Sequence, residues 1–327
     1  VRRSASITST GAYLPSRVLT NAELEKMVDT SDEWIMSRTG IRERRIAAKD
    51  EFTSDMGARA ATQALERGNI DPKTVDLIIV ATCTPDTIFP STACHIQFKI
   101  GATKAAAFDL QAACSGFLYA MVTAEQFIST GIYKTILVVG AEKLSSIVNW
   151  QDRNTCVLFG DGAGAVVLQH REGGRGLLSF DLGADGAQTE ILSVPASGCR
   201  VPVTPEILAA GGQFIQMAGK EVYRYAVSAM NRSAEDCLEK AGCKPADVRW
   251  IIPHQANSRI IEAVAQRLGL SMDHFFVNLD RYGNTSAACV PICLHELDLA
   301  GNLERGDLLL MVAFGGGLTW AGALLEW

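Results

Sequence analysis

The chain has 327 residues, 48% of them hydrophobic, enough to bury one large α/β core or two medium domains, which excludes a disordered or fibrous protein. A formal net charge of -6 and a pI near 5.5 argue against general affinity for nucleic acid or anionic membrane, and no apolar run is long enough to cross a bilayer. Nine cysteines without a C-x-x-C pair or a secretory leader pattern are expected to be free thiols in a soluble, cytoplasmic protein with no metal site and no redox dithiol.

Short β-rich runs alternate with longer helical stretches, the pattern of α/β architecture. A helix is predicted over Thr53 to Arg67, then a strand over Leu77 to Ala81, a helix around Ser91 to Ile100 and a strand over Ala106 to Leu110. A helix over Ser115 to Thr130 and strands over Thr135 to Gly140 and Ala163 to Gln169 come next. Helices over Lys220 to Ala241 and Ser258 to Leu268, with charges and apolar residues segregated at helical spacing, flank a strand over Trp250 to Pro253. A strand over Phe275 to Leu279, a helix over Ser286 to Leu299 and a strand over Leu308 to Ala313 complete the pattern. The succession that begins at Asp76 thus recurs from Arg249 with similar spacing, which predicts two similar α/β halves, residues 1–173 and 174–327. The join is placed in Glu172-Gly173-Gly174-Arg175-Gly176.

Cys114 stands where a buried strand turns into a long apolar helix. Unpaired N–H groups at a helix start favour negative charge, so its thiol is expected to lean toward the thiolate that attacks thioesters. Its small neighbours Ala112, Ala113, Ser115 and Gly116 would leave backbone donors open to an oxyanion. His254 closes the strand at Pro253, and Asn284 falls in the second repeat at the place Cys114 takes in the first. Singly they read as a satisfied strand-end histidine and a helix cap. If a pseudo-twofold axis relates the halves, corresponding strand ends meet and Cys114, His254 and Asn284 share one pocket. Gly160-Asp161-Gly162-Ala163-Gly164 runs into a strand and lacks the order of a dinucleotide loop, so it reads as a tight turn. Phe314-Gly315-Gly316-Gly317 is placed either to bring backbone N–H groups to the pocket or to make a plain turn.

Taken with Thr30-Ser31-Asp32-Glu33-Trp34-Ile35, Arg38-Thr39-Gly40-Ile41-Arg42-Glu43-Arg44, Pro253-His254-Gln255-Ala256-Asn257 and Gly283-Asn284-Thr285-Ser286-Ala287-Ala288, these motifs span nearly the whole chain. In them the sequence resembles the β-ketoacyl-acyl carrier protein synthase III family, condensing enzymes that start type II fatty acid synthesis. The resemblance implies a thiolase-like fold in a layered αβαβα arrangement. It also implies decarboxylating condensation of a short acyl-CoA primer with malonyl-acyl carrier protein through an acyl group on Cys114. His254 and Asn284 would hold the malonyl thioester carbonyl, and the N–H groups of Cys114 and Gly316 would form the oxyanion hole for acyl transfer. Trp34 and Arg153 match positions that sandwich the adenine of coenzyme A, and Arg38 and Asn257 match positions along the pantetheine and phosphate path. Arg224, Arg259 and Arg267 fall where the family docks its acidic carrier protein, although a solvated charged face would look the same. Phe89 matches a position that reaches across a homodimer interface to bound the acyl pocket. No permanent cofactor is implied, since acyl-CoA enters as substrate.

Rival readings differ by residue. A thiolase proper needs a second cysteine in Ala313 to Gly322, and none is there; an elongating synthase carries a second histidine where this chain has Asn284. A cysteine hydrolase shares a Cys, His and Asn set but not the duplication. A condensing enzyme of the same fold acting on longer acyl groups or making a secondary metabolite is the nearest rival, separable by its primer profile.

Overall fold

The computed structural model describes residues 4–171 and 176–327; the expected join, apart from Gly176, lies outside the described residues. One sheet has the order Ala5–Tyr13, Gly162–His170, Thr135–Glu142, Leu77–Ala81, Ala106–Leu110, the last three strands parallel and the first two antiparallel to their neighbours. A second sheet repeats that order with Leu177–Ala184, Thr319–Glu326, Leu308–Gly315 and Trp250–Pro253. The repeat keeps register as well as order: Leu77 and Trp250, Gly116 and Cys289, and Thr135 and Leu308, which open matching elements, are all 173 residues apart.

Helices Gly116–Ser129 and Cys289–Leu299 lie between the sheets. Thr53–Arg67 and Thr92–Ile100 cover the outer face of the first sheet, and Gly219–Ala241 and Ser258–Leu268 that of the second, which gives the αβαβα layering. Composition dictates these places. Leu77–Ala81 and Thr135–Glu142 are buried on both faces and read as almost continuous apolar runs, as strands sandwiched between helices must. The outer helix Ser258–Leu268 buries one stripe, Ile260, Ile261, Val264 and Ala265, and exposes Arg259, Glu262, Gln266 and Arg267 on the other face. Glycines let the second inner helix and the turn before it approach the first sheet closely: a Cβ at Gly140 would meet the Ala287 carbonyl oxygen at 2.3 Å, and one at Gly164 the Ile292 nitrogen at 2.7 Å.

One predicted strand is absent. Phe275 makes a single parallel bridge to Ile251, after which the buried side chain of Gln255 donates to the Phe276 carbonyl at 3.1 Å and accepts from the Asn278 N–H at 3.0 Å. A side-chain amide thus meets the backbone demands that a sheet partner would have met, and the chain turns into the short helix Leu279–Tyr282. Strands Ala5–Tyr13, Leu177–Ala184 and Thr319–Glu326 were not legible as apolar runs, because serine, threonine and glycine interrupt them. Among the described residues no helix is long and apolar enough to cross a membrane.

Candidate active site

The turn that carries Cys114 is tight. After the strand Ala106–Leu110 the backbone enters a 3-10 turn at Ala113–Ser115 with Ala113 at φ 46°, and the helix begins at Gly116. The matching turn Ser286–Ala288 holds Ser286 at φ 48°. Positive φ at a non-glycine residue costs about 1 kcal/mol or more and persists only where packing enforces it. Packing does so here: a Cβ at Gly315 would meet the Cys114 nitrogen at 2.6 Å, and one at Gly316 would lie 3.8 Å from the Ala113 Cβ. The glycine-rich end of Leu308–Gly315 is therefore pressed against the Cys114 turn.

The fixed 173-residue offset sets Ala287, not Asn284, opposite Cys114, which corrects the expected correspondence. Asn284 stands three residues earlier, ahead of the turn Ser286–Ala288. A bridge to Phe159 holds it there: its N–H donates to the Leu158 carbonyl at 2.8 Å, and its carbonyl accepts from Gly160 at 3.0 Å. This pairing explains Gly160 better than a simple turn does, since a Cβ there would meet the Tyr282 carbonyl oxygen at 2.3 Å. The side-chain Oδ1 of Asn284 accepts from the Ser286 N–H at 2.9 Å, which orients the amide and leaves its NH2 group as a donor.

His254 is 3% exposed and follows the strand Trp250–Pro253, with its N–H on the Val312 carbonyl at 2.7 Å and its Nδ1 3.0 Å from the Cys289 sulfur. Burial pulls its pKa down to about 4, so the imidazole is neutral near pH 7. Cys114, His254 and Asn284 all line one cavity of about 640 Å³, together with Trp34, Arg38, Asn257 and Arg259. The three buried residues are one region of its wall; Arg38, Lys220 and Arg259 are exposed parts of it.

Burial acts against the expected thiolate bias. Burial, reinforced by the charge of Glu142 and only partly offset by a hydrogen bond from Ser286, pushes the Cys114 thiol up to about 12. Desolvation acts strongly because the thiol belongs to the 3-10 turn, inside the protein, rather than to an exposed first helical turn.

Trp34 and Arg38 are four apart on helix Asp32–Thr39 and so share a face. The Arg153 guanidinium lies 5.0 Å from the Trp34 ring centre and donates to the Asp29 carbonyl at 2.8 Å. That is the spacing of a direct cation–π stack, and a planar base could lie between the two only after Arg153 swings away. Asn257 caps helix Ser258–Leu268 by accepting from the Arg259 N–H at 2.9 Å and also donates to the Arg38 carbonyl at 3.0 Å, tying two wall segments together. Arg224 and Arg267 are exposed on the two neighbouring outer helices without lining the cavity, whereas Arg259 does line it. Phe89 is not part of the cavity wall in its own chain; it is 83% exposed, like Ile88 and Phe98 at 86% and 84%.

Several participants escaped sequence reading. Glu142 is wholly buried and accepts from the Thr84 hydroxyl at 2.7 Å and the Cys83 N–H at 3.1 Å; an acid ending an otherwise apolar strand was its only signal. Leu192 and Met217 reach the cavity from a ribbon of two-residue strands, too short for any periodicity. Among the described residues no cluster of histidine, cysteine and carboxylate side chains is arranged to hold a metal ion.

Residues 108–186 match the family profile described as 3-Oxoacyl-[acyl-carrier-protein (ACP)] synthase III, and residues 238–327 match the profile for its C-terminal part. The chain is 54% identical over 324 residues to the β-ketoacyl-[acyl-carrier-protein] synthase III of Desulfitobacterium hafniense, covering 99% of this chain and 98% of that one. It is 53% identical to the protein of the same name from Caldanaerobacter subterraneus, again over 99% of this chain and 98% of the relative. The crystal structure of 3-oxoacyl-[acyl-carrier-protein] synthase III from Aquifex aeolicus superposes with a TM-score of 0.92 at 50% identity, covering 99% of this chain and all of that one. Identity at this level across the full length, on a shared fold, means that the chain belongs to the β-ketoacyl-[acyl-carrier-protein] synthase III family.

Proposed function

We propose that the protein condenses a short acyl-CoA primer, acetyl-CoA foremost, with malonyl-acyl carrier protein, releasing carbon dioxide and forming the β-ketoacyl-acyl carrier protein that begins a fatty acid. The observation that carries this reading is the convergence, in one cavity, of a buried thiol, a neutral histidine and an asparagine whose amide is fixed as a donor.

In the first half-reaction the Cys114 sulfur attacks the primer's thioester carbonyl. The N–H groups of Cys114 and Gly316 receive the oxyanion, and coenzyme A leaves as its thiol with the proton that Cys114 loses. In the second, the malonyl thioester carbonyl accepts from Asn284 Nδ2 and His254 Nε2. The electron pair of the breaking bond to the carboxylate moves into an enolate as carbon dioxide departs. The enolate carbon then attacks the acyl carbon on Cys114 and expels the sulfur as a thiolate, which takes up one proton from solvent and so returns the resting thiol. A neutral imidazole suits this role, since it donates one hydrogen bond and leaves the enolate basic enough to react.

Trp34 and Arg153 are assigned to the adenine, with Arg38 and Asn257 along the pantetheine and phosphate path; Arg224, Arg259 and Arg267 are assigned to the acidic carrier protein. A homodimer in the cytoplasm, each half of the chain (1–173 and 174–327) being one thiolase-like unit, completes the assignment. The exposed Ile88, Phe89 and Phe98 favour the dimer, because large apolar side chains left in water mark contact surfaces, and a partner is needed for Phe89 to bound an acyl pocket. The decisive experiment is a condensation assay of the purified protein with malonyl-acyl carrier protein against a panel of acyl-CoA primers. Product formation with short primers supports the assignment, and product only with long primers would move the protein to the neighbouring class of condensing enzymes.

A further inference from the structure

Cys289 opens the inner helix Cys289–Leu299 and is 2% exposed, with no role in the chemistry above. Its sulfur accepts from the Gln255 backbone N–H at 3.5 Å and lies 3.0 Å from His254 Nδ1, and the backbone N–H groups at the helix start also face it. A neutral imidazole carries one ring hydrogen, on Nδ1 or on Nε2, and the partner of one nitrogen decides which. Were the hydrogen on Nδ1, two N–H donors would converge on the sulfur and the S–H would be left without an acceptor. With the hydrogen on Nε2, the sulfur accepts from Gln255 and its own S–H donates to Nδ1, so every group is paired.

We propose that Cys289 is a positioning residue that fixes His254 as the Nε2–H tautomer, making it a hydrogen-bond donor to the malonyl thioester carbonyl. Burial keeps the Cys289 thiol protonated, so the donor is present throughout the working pH range. This rests on the condensing role assigned to His254, and it adds that His254 is unsuited to take the proton from Cys114, because Nδ1 is engaged and Nε2 already carries hydrogen.

The test uses the full chain with 15N-labelled histidine; five histidines are present, and His254→Ala identifies the signal of interest. The wild-type ring should show a protonated Nε2 and a bare Nδ1. Cys289→Ala should shift the tautomer balance and slow condensation with malonyl-acyl carrier protein roughly tenfold to a hundredfold, the scale at which groups orienting a functional histidine act. Acylation of Cys114 by acetyl-CoA, read by intact mass, should persist in that variant, and Cys289→Ser should restore both tautomer and rate, since a hydroxyl donates as the thiol does. A wild-type ring protonated on Nδ1, or a Cys289→Ala variant with unchanged tautomer and rate, overturns the proposal. Failure of the wild-type protein to condense at all would instead overturn the reading on which it rests.

Discussion

Alkylation of Cys114 by iodoacetamide, followed by intact mass between about pH 6 and pH 10, tests whether this residue, the proposed nucleophile, rests as thiol or thiolate. With the thiol pushed up to about 12, only about one Cys114 in 10⁵ is ionised at pH 7, against about 3% of an ordinary cysteine near 8.5. The ionised fraction is therefore smaller by roughly 3,000-fold. A more basic thiolate is also a better nucleophile, and a Brønsted slope of about 0.4–0.5 recovers roughly 1.5 powers of ten, so alkylation at pH 7 should run about a hundredfold slower than that of free cysteine. Restricted access to a side chain 9% exposed slows it further but does not change its pH dependence. The slope is thus the critical reading: the rate should rise about tenfold per pH unit across the whole range, without a plateau. A rate that levels off below about pH 8 would refute the reasoning, since it would mean that a thiolate is already held in the resting site and that the helix start or His254 outweighs desolvation.

His254→Ala and Asn284→Ala should still take an acetyl group on Cys114, seen as added mass, yet lose condensation by about a hundredfold to a thousandfold, the usual effect of deleting one preorganised donor. Cys114→Ser should fail to accept the primer while retaining slow decarboxylation of the malonyl thioester, measured as carbon dioxide release. Phe89→Ala should admit longer primers without loss of acetyl transfer, because removing a ring at the end of a channel relieves overlap; an unchanged primer profile counts against that role. Arg224→Glu and Arg267→Glu, outside the cavity wall, should weaken use of malonyl-acyl carrier protein in a salt-dependent way and spare acylation by acetyl-CoA. Arg259→Glu, in that wall, should impair both. Stability should also register His254: with its folded pKa near 4 and an unfolded value of 6.5, the unfolded chain binds the proton first, so stability present above pH 6.5 is lost as pH falls toward 4. The gap is worth about 3 kcal/mol at most, and denaturation curves of His254→Gln should show a correspondingly shallower decline.

Elements whose pattern is local were legible from sequence. Thr53–Arg67, Ser258–Leu268, Leu77–Ala81 and Trp250–Pro253 lie where apolar period and run length put them, and the duplication follows from their order. Cys114, His254 and Asn284 stood out in the sequence because each lies in a distinctive motif at or near the junction of two elements, and the structure brings all three to one cavity. What escaped depends on contacts distant in sequence. Phe275 to Leu279 has strand composition, but the Gln255 amide, more than twenty residues earlier, takes its hydrogen bonds; nothing within the segment reports that. The burial that acts against ionisation of Cys114 escaped for the same reason. A helix start is visible in the sequence, whereas the depth at which packing buries the thiol and the approach of Glu142 belong to the assembled layers alone, and a thiol's charge responds to its whole surroundings more than to its neighbours along the chain. Sequence by itself therefore determined which residues are available and on which elements they ride. The tertiary structure decided their protonation, the orientation of the Asn284 amide and the contact of Cys289 with His254, because each of these is set by desolvation and hydrogen bonds between segments that meet only in the folded protein.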